Sequence, residues 1–521
     1  MPQSDVQALP LVAEALPRSS DLMAAIAAIE ADTPVADWTV GGVEIWPLLR
    51  MRWFFAEWAR LYGSRTGTST RASGILRAMA AGMLASHHAK LEDPAGEDEP
   101  SPQRDLVLVS DGLSFARLGG RWVERFCDPV IASANAKGLS CALWTPLHHR
   151  HRPRATRSKW VQGPVDRANL VGALRSRLAP PRYRLDDVDR VLGSLTRLGL
   201  GIAPMQPSRI VSDGARLLSV AALYGRWLRR SRPRLALIVS YYSLEGMAFV
   251  LACRRLGIPV VDLQHGVQGE FHPAYAAWAA PSSGRSHQLL PDRFWVWSTW
   301  EASTIDAWAA GTDHAPVIGG NPWLDVWRSD SEWPGVATSR ERAAALKTRA
   351  VGRPVVLVTL QFGLSPSEQL EPLASLLAAI GDRVVLWVRL HPAMLDRREE
   401  VRRRLAAAGG GFEIDECTAL PLHALLPNVD AHCTHSSTTV IEAAQFGVPS
   451  VVTSAYGAEL FEQLVGSGLV TVHTGNSLEL ANVLSGLVRG ATSHRTDEIV
   501  GTTDNALQTL LASTTANQVT P

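Results

Sequence analysis

Three short stretches of this chain carry side chains suited to acid–base work or to holding a phosphate. In the first, the apolar run that begins at Val384 ends in Arg389, His391 and Pro392. Arginine offers a fixed fork of donors, and imidazole a donor that can also carry a proton, so the pair suits a diphosphate. The plainer reading is a surface strand end with an incidental histidine. In the second, Ser436-Ser437-Thr438-Thr439 precedes the helical run Val440 to Phe446. Its hydroxyls can cap that helix, and its backbone N–H groups form an anion site reinforced by the helix dipole. The plainer reading is an ordinary capped loop. In the third, Gln264-His265-Gly266 follows the apolar run Ile258 to Leu263, with Glu270, His272 and Tyr275 close behind. Titratable groups gathered at a strand's carboxyl end suit a catalytic or binding loop, and Gly266 lets backbone approach a ligand.

Other residues stand at comparable places. Asp111 follows the run Asp105 to Ser110 and would project as a base toward an acceptor hydroxyl, although Asp-Gly is also a common turn pair. Tyr241, Tyr242 and Glu245 end the run Leu235 to Ser240 and could touch an acceptor or cap the next helix. Gly319 to Pro322 ends another strand and borders the same region. Asp187-Val-Asp189 matches a DxD metal motif in form only, because it lies in a helical stretch. His265 with His272 lacks a third metal ligand at a matching spacing. No P-loop, GxGxxG fingerprint or GxSxG elbow is present.

Positioning these residues requires strands that end where they begin. Continuous apolar runs at 105–110, 140–144, 235–240, 258–263 and 294–297 read as strands buried on both faces, and 317–322 closes that half. A second set lies at 355–359, 384–390, 431–433 and 450–453. Strands alternating with helical stretches predict an α/β fold with parallel sheets and right-handed crossovers. The expected division is a helical N-terminal extension and acidic linker over 1–100, a first Rossmann-like domain over 101–335, a second over 336–490, and a polar tail over 491–521 that frays at its end. Within the extension, residues 19–62 read as helical with a break at Gly41-Gly42, and 75–90 as amphipathic. Residues 166–231 read as a helical, arginine-rich insertion.

At 521 residues the chain exceeds a single core, and its 46% hydrophobic and 19% charged composition is that of a globular protein. A net charge of +1 gives no signal for nucleic acid. The five scattered cysteines read as buried thiols in a reducing compartment. No apolar run approaches the roughly 20 residues that span a bilayer, and the first residues lack a basic leader, so a cytosolic protein is expected. Basic clusters at 148–159 and 226–234 leave open peripheral contact with the cytoplasmic face of the inner membrane. The plainer reading is a solvated loop and a basic helix end.

The order of these motifs resembles GT-B glycosyltransferases of bacterial surface-polysaccharide biosynthesis over roughly residues 105–475. It is similar to bacterial sialyltransferases and polysialyltransferases, capsule Kdo transferases and CDP-glycerol glycerophosphotransferases. The Gln264 loop, Pro291 to Trp297 and Gly320 to Asp325 resemble capsule and O-antigen proteins. The resemblance implies two Rossmann-like domains facing across a cleft and a metal-independent transferase with no cofactor beyond its donor. His391, with Arg389 and Pro392, would meet the donor phosphate. Ser436, Ser437 and Thr438 would hold its oxygens, and Glu442 would bind ribose or base. Asp111 matches the second acid of the sialyltransferase acidic-acidic-Gly motif and would be the base. Ser110 departs from that motif, so His265 and Glu270 stand in reserve. Tyr241, Tyr242, Glu245, Gln264 and His272 would face a glycan or lipid-linked acceptor. The implied donor is a CMP-linked ulosonic acid, Kdo or sialic-like, with CDP-, UDP- and GDP-sugars as alternatives. An epimerase of the same shape and a non-catalytic assembly partner are the competing readings.

Overall fold

The computed structural model describes residues 18–62, 103–146, 153–279, 286–328, 333–489 and 501–516. The first domain is built on seven parallel strands: β1 (Leu106–Val109), β2 (Cys141–Thr145), β3 (Ser158–Trp160), β4 (Leu235–Val239), β5 (Val260–Leu263), β6 (Arg293–Val296) and β7 (Ala315–Ile318). Their spatial order is β7-β6-β5-β4-β1-β2-β3. The second domain has six: β8 (Val355–Thr359), β9 (Val385–Arg389), β10 (Phe412–Glu413), β11 (Ala431–Thr434), β12 (Ser450–Val452) and β13 (Val470–Val472), ordered β10-β9-β8-β11-β12-β13. All of these pairs are parallel as well. Each sheet reverses its order once, between β1 and β4 and between β8 and β11. That is the doubly wound arrangement, and two such domains make the expected GT-B fold.

The central strands follow directly from sequence. Every residue of β1, β4, β5, β8 and β11 is buried, as a continuous apolar run predicts for a sheet covered on both faces. Three strands of these two sheets were not expected: β3, β10 and β13. These are short edge strands whose residues are mostly half-buried, so they lack an apolar run to announce them. The arginine-rich stretch is helical as expected, over Gln162–Leu178, Val188–Arg197 and Pro207–Ser231.

The break at Gly41-Gly42 is a hairpin. Both glycines have positive φ, 62° and 75°, and join the antiparallel pair Thr39–Val40 and Val43–Glu44. A two-residue turn of this hand needs positive φ twice, which glycine adopts without strain. The helices Ser19–Asp32 and Trp46–Tyr62 flank it and lay Trp38, Trp46 and Trp53 into the first domain's core. Arg50 is fully buried there, 2.9 Å from Glu30 and 4.1 Å above the Trp278 ring. The amphipathic 75–90 segment, the linker through residue 102, and Arg150 and Arg152 of the first basic cluster lie outside the described residues.

The tail departs from expectation. Thr503–Ala516 is a helix, and it packs on the first domain's helix Cys127–Ala136, not on the second domain that precedes it. Thr503 donates its N–H and hydroxyl to Asp325 (3.0 and 2.7 Å), and Lys137 lies 2.9 Å from Asp504. Ala506, Leu507 and Leu510 are buried, a one-sided apolar spacing that the polar composition of the tail concealed. Residues 517–521 lie outside the described residues. Leu507→Ala, removing a side chain with 0% exposure, is expected to cost about 2–5 kcal/mol of stability, read as a lower urea midpoint.

Candidate functional site

Where a parallel sheet reverses its order, the flanking crossovers run to opposite faces and leave a crevice at the carboxyl ends of the strands. The loops at the two reversals are Ser110–Ser114 and Ser240–Tyr242 in the first domain, and Leu360–Gly363 and His435–Thr438 in the second. Ser240 holds φ +64°, an uncommon conformation for a non-glycine residue, at the tip of β4. The two domains meet directly. Val440, Ile441 and Val452 of the second share one apolar cluster with Leu108, Phe126 and Trp297 of the first.

In the second domain, Pro392 opens a short 3-10 helix directly after β9, and His391 caps it. The His391 Nδ1 accepts the Ala393 N–H at 3.1 Å. In the neutral ring the proton must therefore sit on Nε2, which leaves a donor facing outward. Partial burial lowers the pKa of His391 and keeps it neutral. The exposed Phe362 ring, at the tip of the loop after β8, stacks on it with centroids 6.1 Å apart. In the serine turn, the Ser437 hydroxyl accepts the Thr439 N–H at 3.3 Å, but the residue at the N-cap of the helix Thr439–Gln445 is Thr438, which makes no side-chain cap hydrogen bond, so the hydroxyl cap expected from sequence is not formed. Ser436 Oγ lies 3.0 Å from His435 Nδ1, and Thr438 is exposed.

Arg389 and Glu442 are placed differently from a simple ligand pair. Arg389 Nη1 donates to the carbonyls of Cys417 (2.6 Å) and Leu420 (2.5 Å), fixing the loop beside β9. Burial draws its pKa down to about 10. Glu442 is 8% exposed and lies 3.1 Å from His423 Nε2. Burial raises its pKa, but His423, Arg125 and Arg389 together outweigh burial and hold it ionised.

Arg125 is the residue that sequence reasoning missed. It belongs to the first domain, yet its charge acts on Glu442 and Arg389 of the second as well as on His265. Its Nε is buried without a hydrogen-bond partner among the described residues. The preceding Glu124 is also unforeseen. It is fully buried, accepts the N–H groups of Phe126 (2.9 Å) and Cys127, and faces the Ser110 hydroxyl at 3.3 Å. Burial, with Asp111 and Asp128 nearby, pushes its pKa up to about 8. Glu124 ends, and Arg125 directly follows, the antiparallel hairpin Phe115–Leu118 and Arg121–Glu124, an excursion that no strand-end rule would flag. The only available signal was an acid just before the helix at Cys127.

Of the expected first-domain residues, some face the seam and others are structural. Asp111 organises its own turn: Oδ1 accepts the N–H groups of Leu113 (2.8 Å) and Ser114 (3.0 Å), and Oδ2 accepts the Ser114 hydroxyl (2.9 Å). His265 Nε2 lies 3.1 Å from Tyr242 Oη. Burial lowers the His265 pKa, against the opposing pull of Asp111 and the Leu263 carbonyl, so the ring is neutral. His272 packs among Tyr275, Tyr242 and Phe55, and burial takes its pKa down to about 3. Phe55 comes from the helix Trp46–Tyr62 and stacks on Tyr242 at 5.9 Å, so the N-terminal extension walls this half of the site. Glu270 is exposed.

Three assignments to the acceptor need correction. Gln264 is fully buried; its amide bridges Gly266 O, Glu301 and the Trp297 N–H and has no group left for a ligand. Tyr241 is fully buried and donates to Ala274 O, and its N–H binds Asp262. Glu245 accepts from Asn169 Nδ2 at 2.9 Å, joining two helices. A cavity of about 550 Å³ lies elsewhere, at the amino ends of the first sheet's strands beneath Leu510 and Ser513. Its charges are already matched, Arg254 with Asp292 and Asp313, and ligands of doubly wound sheets bind at the opposite edge.

No protein-family model matches this chain, and no curated protein does. Among solved structures, it is similar to a UDP-GlcNAc 2-epimerase from Neisseria meningitidis bound to UDP-GlcNAc, at 14% identity and a TM-score of 0.49. That match covers 79% of this chain and 99% of the other. It is also similar to S. aureus MnaA solved with UDP (13%, TM-score 0.44, covering 80% and 97%). A third match is the calicheamicin glycosyltransferase CalG4 (16%, TM-score 0.41, covering 80% and 98%). At these levels the likeness concerns the fold alone.

Proposed function

We propose that the chain is a glycosyltransferase that takes a sugar from a nucleotide donor held across the seam between its two domains. One observation carries this reading. Arg125 reaches from the first domain, with its Nε unpartnered, into the field of Arg389 and Glu442 of the second. Two guanidiniums around one carboxylate leave positive charge in excess, which suits a phosphate-bearing leaving group. His391 Nε2–H and the serine turn lie on the same carboxyl edge. The acceptor hydroxyl would lose its proton to His265 Nε2 while its oxygen attacks the anomeric carbon. The bond from that carbon to the phosphate oxygen breaks, and the nucleotide leaves with its charge met by His391 and Arg125. Asp111, whose carboxylate is held by its own turn, would stabilise the imidazolium that forms. The leading donor is a CMP-linked ulosonic acid, and the acceptor a bacterial surface glycan.

Thermal shift with CMP, CDP, UDP, GDP and dTDP tests the donor site. A nucleotide at about 100 times its dissociation constant adds roughly 2.7 kcal/mol of stability. A cytidine nucleotide alone raising Tm, with the rise lost in Arg125→Ala, is the expected result. A response to UDP alone would replace the ulosonic acid with a UDP-linked sugar. If donor without acceptor yields altered sugar and free nucleotide, the reaction is epimerisation and the transfer reading falls.

A further inference from the structure

We infer that a groove on the first domain, away from the seam, seats the phosphate headgroups of anionic bilayer lipids. The groove lies between the helices Pro207–Ser231 and Leu244–Arg255, near their carboxyl ends, and encloses about 310 Å³. These ends feed β4 and β5, so the groove sits at the sheet's amino edge, opposite the candidate site. Small residues such as Ala221, Gly225 and Ala252 leave the space between the helices unfilled and form an apolar floor, while Arg226, Arg229 and Arg255 line the rim. Among the described residues, no acidic residue lines it.

Cations in the last turn of a helix are favourable in themselves, because they answer the dipole. That accounts for single arginines, and the neighbouring Arg254 shows the usual outcome by pairing with Asp292 and Asp313. Arg226, Arg229 and Arg255 differ. They come from two helices, meet at one cavity, are all exposed, and form no ion pair among the described residues. Arg230, Arg232 and Arg234 extend the positive charge along the same edge, and Lys159 lies 4.9 Å above the Trp227 ring beside it. The chain as a whole carries only +1, so this concentration is local. A single soluble phosphate would not use so many charges spread along one edge, whereas a sheet of headgroups would. The apolar floor accepts the start of an acyl stem.

Vesicle co-sedimentation of the full chain tests the inference, using phosphatidylcholine with and without phosphatidylglycerol. Binding only to the anionic vesicles is expected, falling as salt rises. Arg226→Gln/Arg229→Gln/Arg255→Gln is expected to weaken it on the order of 100-fold. A control, Arg403→Gln/Arg404→Gln, removes two exposed charges from the second domain and is expected to bind as wild type. All five positions are exposed, so an unchanged Tm verifies folding. Equal loss in both variants would reduce the effect to overall charge and overturn the site. Absence of vesicle binding by the wild type would overturn it too, including where inorganic phosphate raises Tm, since the groove would then serve a soluble anion.

Discussion

His391→Ala is expected to lower kcat/KM for sugar transfer by roughly 10²–10³-fold, the usual loss when one preorganised donor to a developing charge is removed. The loss should fall mainly on kcat, because the leaving phosphate gains charge only as its bond to the sugar breaks. The structural cost is separable. His391 is exposed, and its one side-chain hydrogen bond among the described residues is the Ala393 N–H cap, worth on the order of 1 kcal/mol. Activity and a urea midpoint measured on the same preparation distinguish the two effects. A variant that keeps its kcat would remove His391 from the chemistry and weaken the whole second-domain assignment.

Glu124→Gln is expected to flatten the alkaline side of the stability profile. A folded pKa raised to about 8 means that the native chain holds the proton more tightly than the unfolded one. The stabilisation is therefore complete below the unfolded value of 4.5 and is lost as pH rises through about 8. Asp262, fully buried between the Tyr241 N–H and the Tyr275 hydroxyl, behaves alike with a pKa near 7, and Asp128 with one near 6. Three buried histidines act in the opposite sense. Burial drops His272, His314 and His432 to about 3, so their contribution is full above the ordinary histidine value of 6.5 and is lost as pH falls toward 3.

Between the ordinary carboxylate range and about pH 6 the two sets cancel, and the carboxylates alone act above 6.5. Glu124 should then cost on the order of 2 kcal/mol between pH 6.5 and 8. Glutamine resembles the protonated acid: its oxygen can still accept from Phe126 or Cys127, and its amide can donate to Ser110. Differential scanning fluorimetry across pH 5–9 should show wild-type Tm falling above 6.5 and the variant falling less. Parallel curves would mean that Glu124 is ionised throughout.

What could be read from sequence was set by burial on both faces. β1, β4, β5, β8, β9 and β11 lie inside their sheets, and a run such as Leu235–Val239 leaves little else to infer. The edge strands face partly outward, and their mixed composition looks like loop. In the candidate site, the places of His391 and the Ser436–Thr438 turn after their strands were legible from the apolar runs and the proline or serines that end them. The residues after β4 and β5 were harder. Tyr241 and Tyr242 are adjacent, as are Gln264 and His265, and in each pair one side chain is fully buried while the other stays partly exposed. The sequence marks where the strand ends, but a single turn of unknown geometry decides which neighbour faces which way. Arg125 could not be found from strand ends at all, since it arrives on a hairpin and its partners belong to the other domain.

The returning helix Thr503–Ala516 carries a mechanical consequence. The chain passes from the first domain to the second near residue 330 and comes back between 489 and 501, so the second domain is tethered at two points. A body held by a single cord can swivel freely, whereas one hung on two pins swings like a door about the line that joins them. Any parting of the two halves is constrained at both connections. The Asp325–Thr503 hydrogen bonds and the buried Ala506, Leu507 and Leu510 together hold that second tether in place.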